Sequence, residues 1–156
     1  LTPGRILVPA AGRSPEPLVL AQAGFQVVTV DISPTAVAAQ QKLLAGTSGH
    51  ALLADLFTWQ PERPLDAIYD QACLCALPPA LLPAYAARLA DWLRPGGVLI
   101  ELFLQTDSEG GPPFHCDLAR MRTLFPDTLW AWPDAAVPPA ASPVGRSEVP
   151  TALRRR

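Results

Sequence analysis

Charge is scarce in this chain, with 14 acidic and 12 basic side chains among 156 residues and a formal net charge of −2. A polyanionic partner needs a basic face, so this small and balanced set gives no electrostatic case for nucleic acid. Histidine is scarcer, with only His50 and His115, too few for a metal cluster, and no metal is expected. Three cysteines, Cys73, Cys75 and Cys116, cannot all pair. The Cys73-x-Cys75 spacing is not a redox C-x-x-C, so these two read as small apolar core residues, and the set of three points to a reducing cytoplasm. No apolar run is long enough to span a bilayer. No basic-then-apolar leader opens the chain; it starts on Leu1, and upstream residues are expected to have been removed or omitted. The full glycine fingerprint of a dinucleotide loop, G-x-G-x-x-G, is also missing.

What is present is organised around Arg5 to Asp31, RILVPAAGRSPEPLVLAQAGFQVVTVD. Ile6-Leu7-Val8 is a short apolar run of the kind buried on both faces of a parallel sheet. Pro9, Ala10, Ala11 and Gly12 begin a loop of small residues that runs to Arg13. Ser14 is placed to cap the next helix, with Pro15 in its first turn. Leu18, Leu20, Ala21 and Ala23 give that helix a buried side, and Gly24 ends it. Val27, Val28 and Val30 form a second strand that finishes on Asp31. A strand–helix–strand unit with a carboxylate at its second strand tip suits a nucleoside-containing cofactor. Helix N–H groups face the polar end, and the acid accepts from ribose hydroxyls. Only Gly12 of the glycine pattern survives, but Asp31 follows it by 19 residues, close to the usual spacing of about 20.

The rest alternates in the same way. Ser33 and Pro34 start a helix with an apolar stripe of Ala36, Ala39, Leu43 and Leu44. Ala51 to Ala54 is a third strand, ending in Asp55, and Leu65 to Tyr69 a fourth, ending in Asp70. Pro78-Pro79 opens a helix carrying Leu81, Leu82, Tyr85, Ala86, Leu89 and Trp92. Arg94-Pro95-Gly96-Gly97 is a turn, and Val98 to Leu104 a central strand interrupted only by Glu101. Thr106 to Pro113 is a loop, Asp117 to Phe125 a helix, and Leu129 to Trp132 and Val149 to Leu153 two closing strands. The proline-rich Asp134 to Pro143 stretch joins that pair, and Arg154-Arg155-Arg156 reads as a solvated tail. At this length the chain is expected to form a single domain over residues 1–156. The pattern predicts an α/β fold: a doubly wound, mostly parallel sheet with a C-terminal antiparallel strand pair.

Asp31, Asp55 and Asp70 each follow an apolar strand. In an open α/β sheet the carboxyl ends of the strands share the edge where ligands bind. On this reading Asp31 takes ribose hydroxyls and Asp55 an amino group of the base. Asp70 faces a cationic or amino portion of the ligand. Structural capping is a fair explanation for any single one of them, but three on one edge are harder to dismiss.

The blocks DLFTW (Asp55 to Trp59), YDQACLCALPP (Tyr69 to Pro79), LRPGG (Leu93 to Gly97) and EGGPPF (Glu109 to Phe114) carry a resemblance. In this order the chain resembles the S-adenosylmethionine-dependent thiopurine methyltransferase family, and within it the thiol/halide methyltransferases. The resemblance implies a class I methyltransferase Rossmann-like fold and S-adenosyl-L-methionine as cofactor, with S-adenosyl-L-homocysteine as product. It implies that Gly12 and its neighbours lie against the cofactor's amino-acid part, that Asp31 holds the ribose and Ile32 packs on the adenine, and that Asp55 and Leu56 frame its other side. Asp70 and Gln71 would sit near the methyl sulfonium as positioning groups. The Gly110-Gly111-Pro112-Pro113-Phe114 loop, followed by His115, would border the acceptor. Ala10, Ala11 and Ser14 stand where the family has more glycines, and Gln71 stands where thiopurine-type members often have arginine. Family members usually carry an N-terminal lid of several tens of residues before the first strand. Here that lid is expected to be truncated away, missing or replaced by a partner.

Methyl transfer from a sulfonium is an in-line displacement, and the enzyme mainly positions the reactants and excludes water. A thiol is partly ionised at neutral pH and a halide needs no base, so the lack of an evident His–acid pair does not count against this chemistry. The function expected is therefore transfer to a small-molecule thiol, halide or related soft nucleophile. The alternative is a catalytically degenerate S-adenosylmethionine-binding domain. A nicotinamide-dependent oxidoreductase is disfavoured, because it demands the glycines this loop lacks. Oligomeric state is left open.

Overall fold

The computed structural model describes residues 2–106, 108–135, 137–141 and 146–156. The strands are β1 (Arg5–Pro9), β2 (Gln26–Asp31), β3 (His50–Leu53), β4 (Leu65–Asp70), β5 (Leu93–Gln105), β6 (Trp130–Ala131), β7 (Ala140–Ala141) and β8 (Ser147–Arg155). The helices are α1 (Glu16–Gln22), α2 (Pro34–Leu43), α3 (Cys73–Ala76), α4 (Leu82–Trp92) and α5 (Leu118–Leu124). The sheet order is β3-β2-β1-β4-β5-β8-β6, with β7 against β8. β1 to β5 are parallel, and β8 runs antiparallel between β5 and β6. This is the doubly wound sheet with a C-terminal antiparallel pair that the alternating pattern predicts.

Alternation along the strands sends side chains to two layers. Ile6, Val8, Val27 and Ala67 bury one face with Phe25 and the half-buried Leu20 and Ala21 of α1. Leu7, Val28, Val30, Ile68, Leu99 and Phe103 bury the other against Leu82, Tyr85, Leu89 and Trp92 of α4 and Met121 of α5. Trp59 meets Trp92 edge-on at 5.3 Å, and Phe103 stacks on Trp132 at 5.9 Å. These aromatics belong to the core. Wound this way, the sheet sends the tips of β1 to β5 to one edge.

Several local expectations are corrected. Ser14 does not cap α1 through its side chain; Pro15 occupies the cap, and its carbonyl accepts from Leu18 and Val19 N–H. The buried stripe of α2 is Ala36, Val37, Gln40 and Leu44, with Ala39 and Leu43 only half-buried. Between β4 and Pro78 the chain also forms α3, whose first N–H groups are held by Asp70. The last arginines are not a solvated tail: Arg154 and Arg155 continue β8. Arg154 Nη1 donates to Gly96 O at 2.8 Å, Arg155 Nε to Ala90 O at 2.7 Å, and Arg156 Nε to Trp130 O at 3.3 Å. Within the two expected loops, Asp107, Ala136, Ser142 and Pro143 lie outside the described residues.

Candidate functional site

The loop after β1 turns tightly. Ala10 has φ 46° and Gly12 φ 57°, both in the left-handed region. At Gly12 a Cβ would meet no atom within 4 Å, so backbone strain rather than space favours glycine there. Ala10 N–H bonds Val30 O at 2.8 Å and Ser14 N–H bonds Ala11 O at 3.0 Å. The loop is also tied to β2: Gly12 N–H donates to Asp31 Oδ2 at 3.1 Å, and Ser33 N–H donates to Asp31 Oδ1 at 2.8 Å. Ser33 caps α2 by accepting from Ala36 N–H at 3.3 Å. Asp31, 9% exposed, thus uses one lone-pair site on each oxygen for backbone, which leaves acceptor capacity on both.

Ile32 follows at 73% exposure, a large apolar side chain presented at a strand tip. Ala54 N–H bonds the Asp31 carbonyl at 3.1 Å and carries the chain after β3 to the same edge. There Asp55 Oδ1 accepts from Phe57 N–H at 2.8 Å, while Leu56 is buried beneath. The structure therefore places Pro9, Ala10, Ala11, Gly12, Asp31, Ile32, Asp55 and Leu56 at the carboxyl ends of β1 to β3. A hydroxyl-rich, aromatic-bearing ligand would find acceptors and an apolar surface side by side.

Asp70 differs from that group. It is fully buried, with Oδ1 accepting from Cys73 N–H at 2.8 Å and Leu74 N–H at 3.4 Å, and Oδ2 accepting from Tyr85 Oη at 2.7 Å. The expectation that it faces a ligand is replaced by a capping role, holding the start of α3 to α4. Burial pushes its carboxyl up to about 6 against those hydrogen bonds. In register beside it on β5, Glu101 is also buried, and burial, with the Asp70 charge next, holds its carboxyl well above the ordinary range. Burial raises the neighbouring thiols as well, Cys75 and Cys116 to about 12 and Cys73 well above its usual value. None of the three is a ready thiolate. Gln71, half-buried, accepts from Tyr69 Oη at 3.2 Å and donates to Glu148 Oε2 at 3.3 Å.

The glycine–proline loop is drawn to the same edge by Phe114 N–H, which donates to Cys75 O at 2.6 Å. At Gly111 a Cβ would fall 2.5 Å from the Phe114 ring, so only glycine lets the ring fold back on the loop. Pro112 is exposed and Pro113 half-buried. His115 Nδ1 accepts from Thr106 N–H at 3.0 Å. A cavity of about 460 Å³ opens here, lined by Pro79, Thr106, Glu109, Phe114, His115 and Arg120 among others. An apolar groove of similar volume, between Leu82 and Ala86 of α4 and Leu124 of α5, lies in the helical layer instead. Sequence reasoning missed Gln40, Tyr85 and Glu148. Gln40 carried a signal, since it stands at i+3 from Val37 and i−4 from Leu44, inside a buried stripe.

Three comparisons bear on this geometry. The family model of thiopurine S-methyltransferase (TPMT) matches residues 1–133. A probable thiol methyltransferase 2 of Arabidopsis thaliana is 36% identical over 127 residues, which is 78% of this chain and 56% of that protein. A thiopurine S-methyltransferase of Legionella pneumophila is 35% identical over 130 residues, 71% of this chain and 59% of its own. The chain thus spans little more than half the length of these relatives. In three dimensions it superposes on magnesium protoporphyrin IX methyltransferase (ChlM) of Synechocystis PCC 6803 with bound SAH. The TM-score is 0.78 at 22% identity, covering 97% of this chain and 75% of the other. That likeness gives the fold, the Rossmann-like class I methyltransferase sheet.

Proposed function

Because the chain belongs to the thiopurine S-methyltransferase family, we propose that it binds S-adenosyl-L-methionine and serves methyl transfer to a small thiol, halide or related soft nucleophile. The observation that carries this reading is the tie from Gly12 N–H to Asp31 Oδ2. It sets a small-residue loop and a carboxylate with spare acceptor sites beside the exposed Ile32. When bound, the cofactor supplies an electrophilic methyl group on a sulfonium.

The residues divide the remaining work. Asp31 would accept hydroxyl hydrogens on its free lone pairs, and Ile32 would give an apolar platform to the base. Asp55, with Oδ2 outside the Phe57 contact, would accept an amino group, and Leu56 would back it. Pro9 to Gly12 would wrap the amino-acid end. Gly111, Pro112, Pro113, Phe114 and His115 would border the acceptor, with the Phe114 ring keeping water from it. Gln71 would position the acceptor, and Asp70 would act only by holding α3 in place. Three buried thiols support a cytoplasmic setting. No helix among the described residues is long and apolar enough to cross a membrane.

One observation favours the second reading, a binding domain without turnover: Asp70 and both ends of the Gln71 amide are already engaged by protein groups. Calorimetry with S-adenosyl-L-homocysteine and with NADH tests the cofactor class. Turnover of iodide and of small thiols then separates an enzyme from a binder. Tight binding of the homocysteine compound with measurable methylation supports the proposal, and binding of NADH alone overturns it.

A further inference from the structure

Gln40 lies in the middle of α2, is 1% exposed, and sends its side chain towards the loop after β1 rather than to solvent. Its Nε2 donates to Gly12 O at 3.2 Å and to Ser14 O at 2.9 Å. Both amide hydrogens are thus spent on the two carbonyls that flank Arg13. Its own carbonyl, Oε1, is buried without a partner. A residue selected for packing alone would be leucine or methionine, which fill this volume and leave no orphaned oxygen. The amide is kept in spite of that oxygen, so the two donors are what the position requires.

The requirement follows from the loop's shape. Gly12 and Ala10 are both in the left-handed region, and the loop's internal bonds are few. Gly12 is gripped on its N–H side by Asp31 and on its C=O side by Gln40. Both grips come from the β2–α2 segment. With the N–H and C=O of one residue fixed by two side chains, the loop cannot rotate without breaking one of these bonds.

We infer that Gln40 is a positioning residue. It holds the Gly12-Arg13-Ser14 loop in its cofactor-binding shape before any ligand arrives, and it acts through the loop rather than by contact. The cofactor part of this inference rests on the reading of the preceding subsection; the positioning of the loop does not.

The test starts without ligand. Arg13 is exposed, so tryptic cleavage after it under native conditions reports loop opening. Gln40→Met keeps the length and removes both donors along with the orphaned oxygen. Cleavage at Arg13 is expected to rise at least tenfold relative to the other basic sites, with thermal stability unchanged or raised. The Kd for S-adenosyl-L-homocysteine is expected to weaken by roughly five- to tenfold. A merely structural role would raise cleavage at all sites together, and unchanged cleavage at Arg13 would overturn the inference. Should Gln40→Met not fold, NMR of the unaltered protein decides. Gln40 amide protons protected from solvent exchange support the inference, and protons exchanging as freely as those of surface glutamines overturn it. If the unaltered protein does not bind S-adenosyl-L-homocysteine, the methyltransferase reading fails, while the Arg13 measurement still judges Gln40.

Discussion

Gln71 donates from Nε2 to Oε2 of Glu148 at 3.3 Å, joining the tip of β4 to β8 across 77 residues of sequence. Glu148 is 7% exposed, so this carboxylate meets its partner largely out of water. Tyr69 completes the group from the other side of the amide, and burial together with the Glu16 and Glu148 charges pushes its phenol up to about 12. Whatever approaches Gln71 therefore meets an amide already fixed in orientation.

The relationship predicts what an arginine would do there. Gln71→Arg sets a guanidinium against the buried Glu148 carboxylate, and the two charges largely cancel. The ratio of kcat/KM for an anionic thiol to that for a neutral one is expected to change less than about twofold. Removing the compensating charge in Gln71→Arg/Glu148→Gln leaves the cation free. That ratio should then move towards the anionic thiol by roughly tenfold, the effect of about 1.4 kcal/mol. Equal shifts in both variants would show that Glu148 does not hold this side chain.

If Asp31 holds the ribose as proposed, Asp31→Ala removes an acceptor from the ligand as well as from two backbone N–H groups. The Kd for S-adenosyl-L-homocysteine should rise by an amount equivalent to about 1–3 kcal/mol, the range for unpaired buried partners. Tryptic cleavage at Arg13 should rise too, because the Gly12 tie is gone. A variant that melts like the parent and binds as tightly would remove Asp31 from the cofactor site.

Much of this was readable from local pattern. The apolar runs around Leu7, Val28 and Ile68 and the turn at Gly24 depend on neighbours a few residues away. Asp70 was not readable in the same way. A carboxylate after a strand can face the edge or cap the next helix, and Tyr85 Oη, 15 residues on, decides for capping. Gln40 was obscured similarly, since a mid-helix glutamine looks solvent-facing until a loop 26 to 28 residues earlier comes back onto it. The three arginines at the end look solvated because their acceptors, such as the Ala90 carbonyl, lie 65 residues away. The elements were legible where the causes were local, and misread where the partner was distant.

The burial of Asp70 gives a pH dependence of definite sign. Its folded value of about 6 stands above the ordinary 3.8, so the native state holds the proton more tightly than the unfolded chain. The resulting stabilisation is full below about pH 3.8 and is lost as the pH rises through about 6, on the order of 2–3 kcal/mol. Asp66 works in the opposite direction, because its bond to Arg94 lowers its carboxyl, but it lies near the surface and counts for little. Asp70→Asn keeps acceptors for Cys73 and Leu74 and can donate to Tyr85 Oη. Urea midpoints at pH 4.5 and pH 7.5 should differ less in this variant than in the parent. An equal difference in both would place the titration elsewhere.

Glu101 offers the sharpest test of what the core tolerates. It sits in β5 between Asp70 and Thr151 in register, on the face shared with the fully buried Leu99 and Phe103. One of its oxygens, Oε2, is buried without a partner. Burial, with the Asp70 charge next, raises its carboxyl, so the folded state favours the protonated form more than the unfolded chain does, and the orphaned oxygen carries a desolvation cost. Leucine at this position fills similar volume, continues the apolar row of Leu99 and Phe103, and removes a second buried carboxyl from beside Asp70. Glu101→Leu is therefore expected to raise the unfolding free energy by about 1–3 kcal/mol at pH 7.5, read from urea denaturation. The gain should shrink as the pH falls and the parent's carboxyl takes up its proton in both states. A loss of stability at pH 7.5 would mean that Glu101 makes a favourable buried contact and that its carboxyl belongs to the Asp70–Tyr85 network as a contributing member.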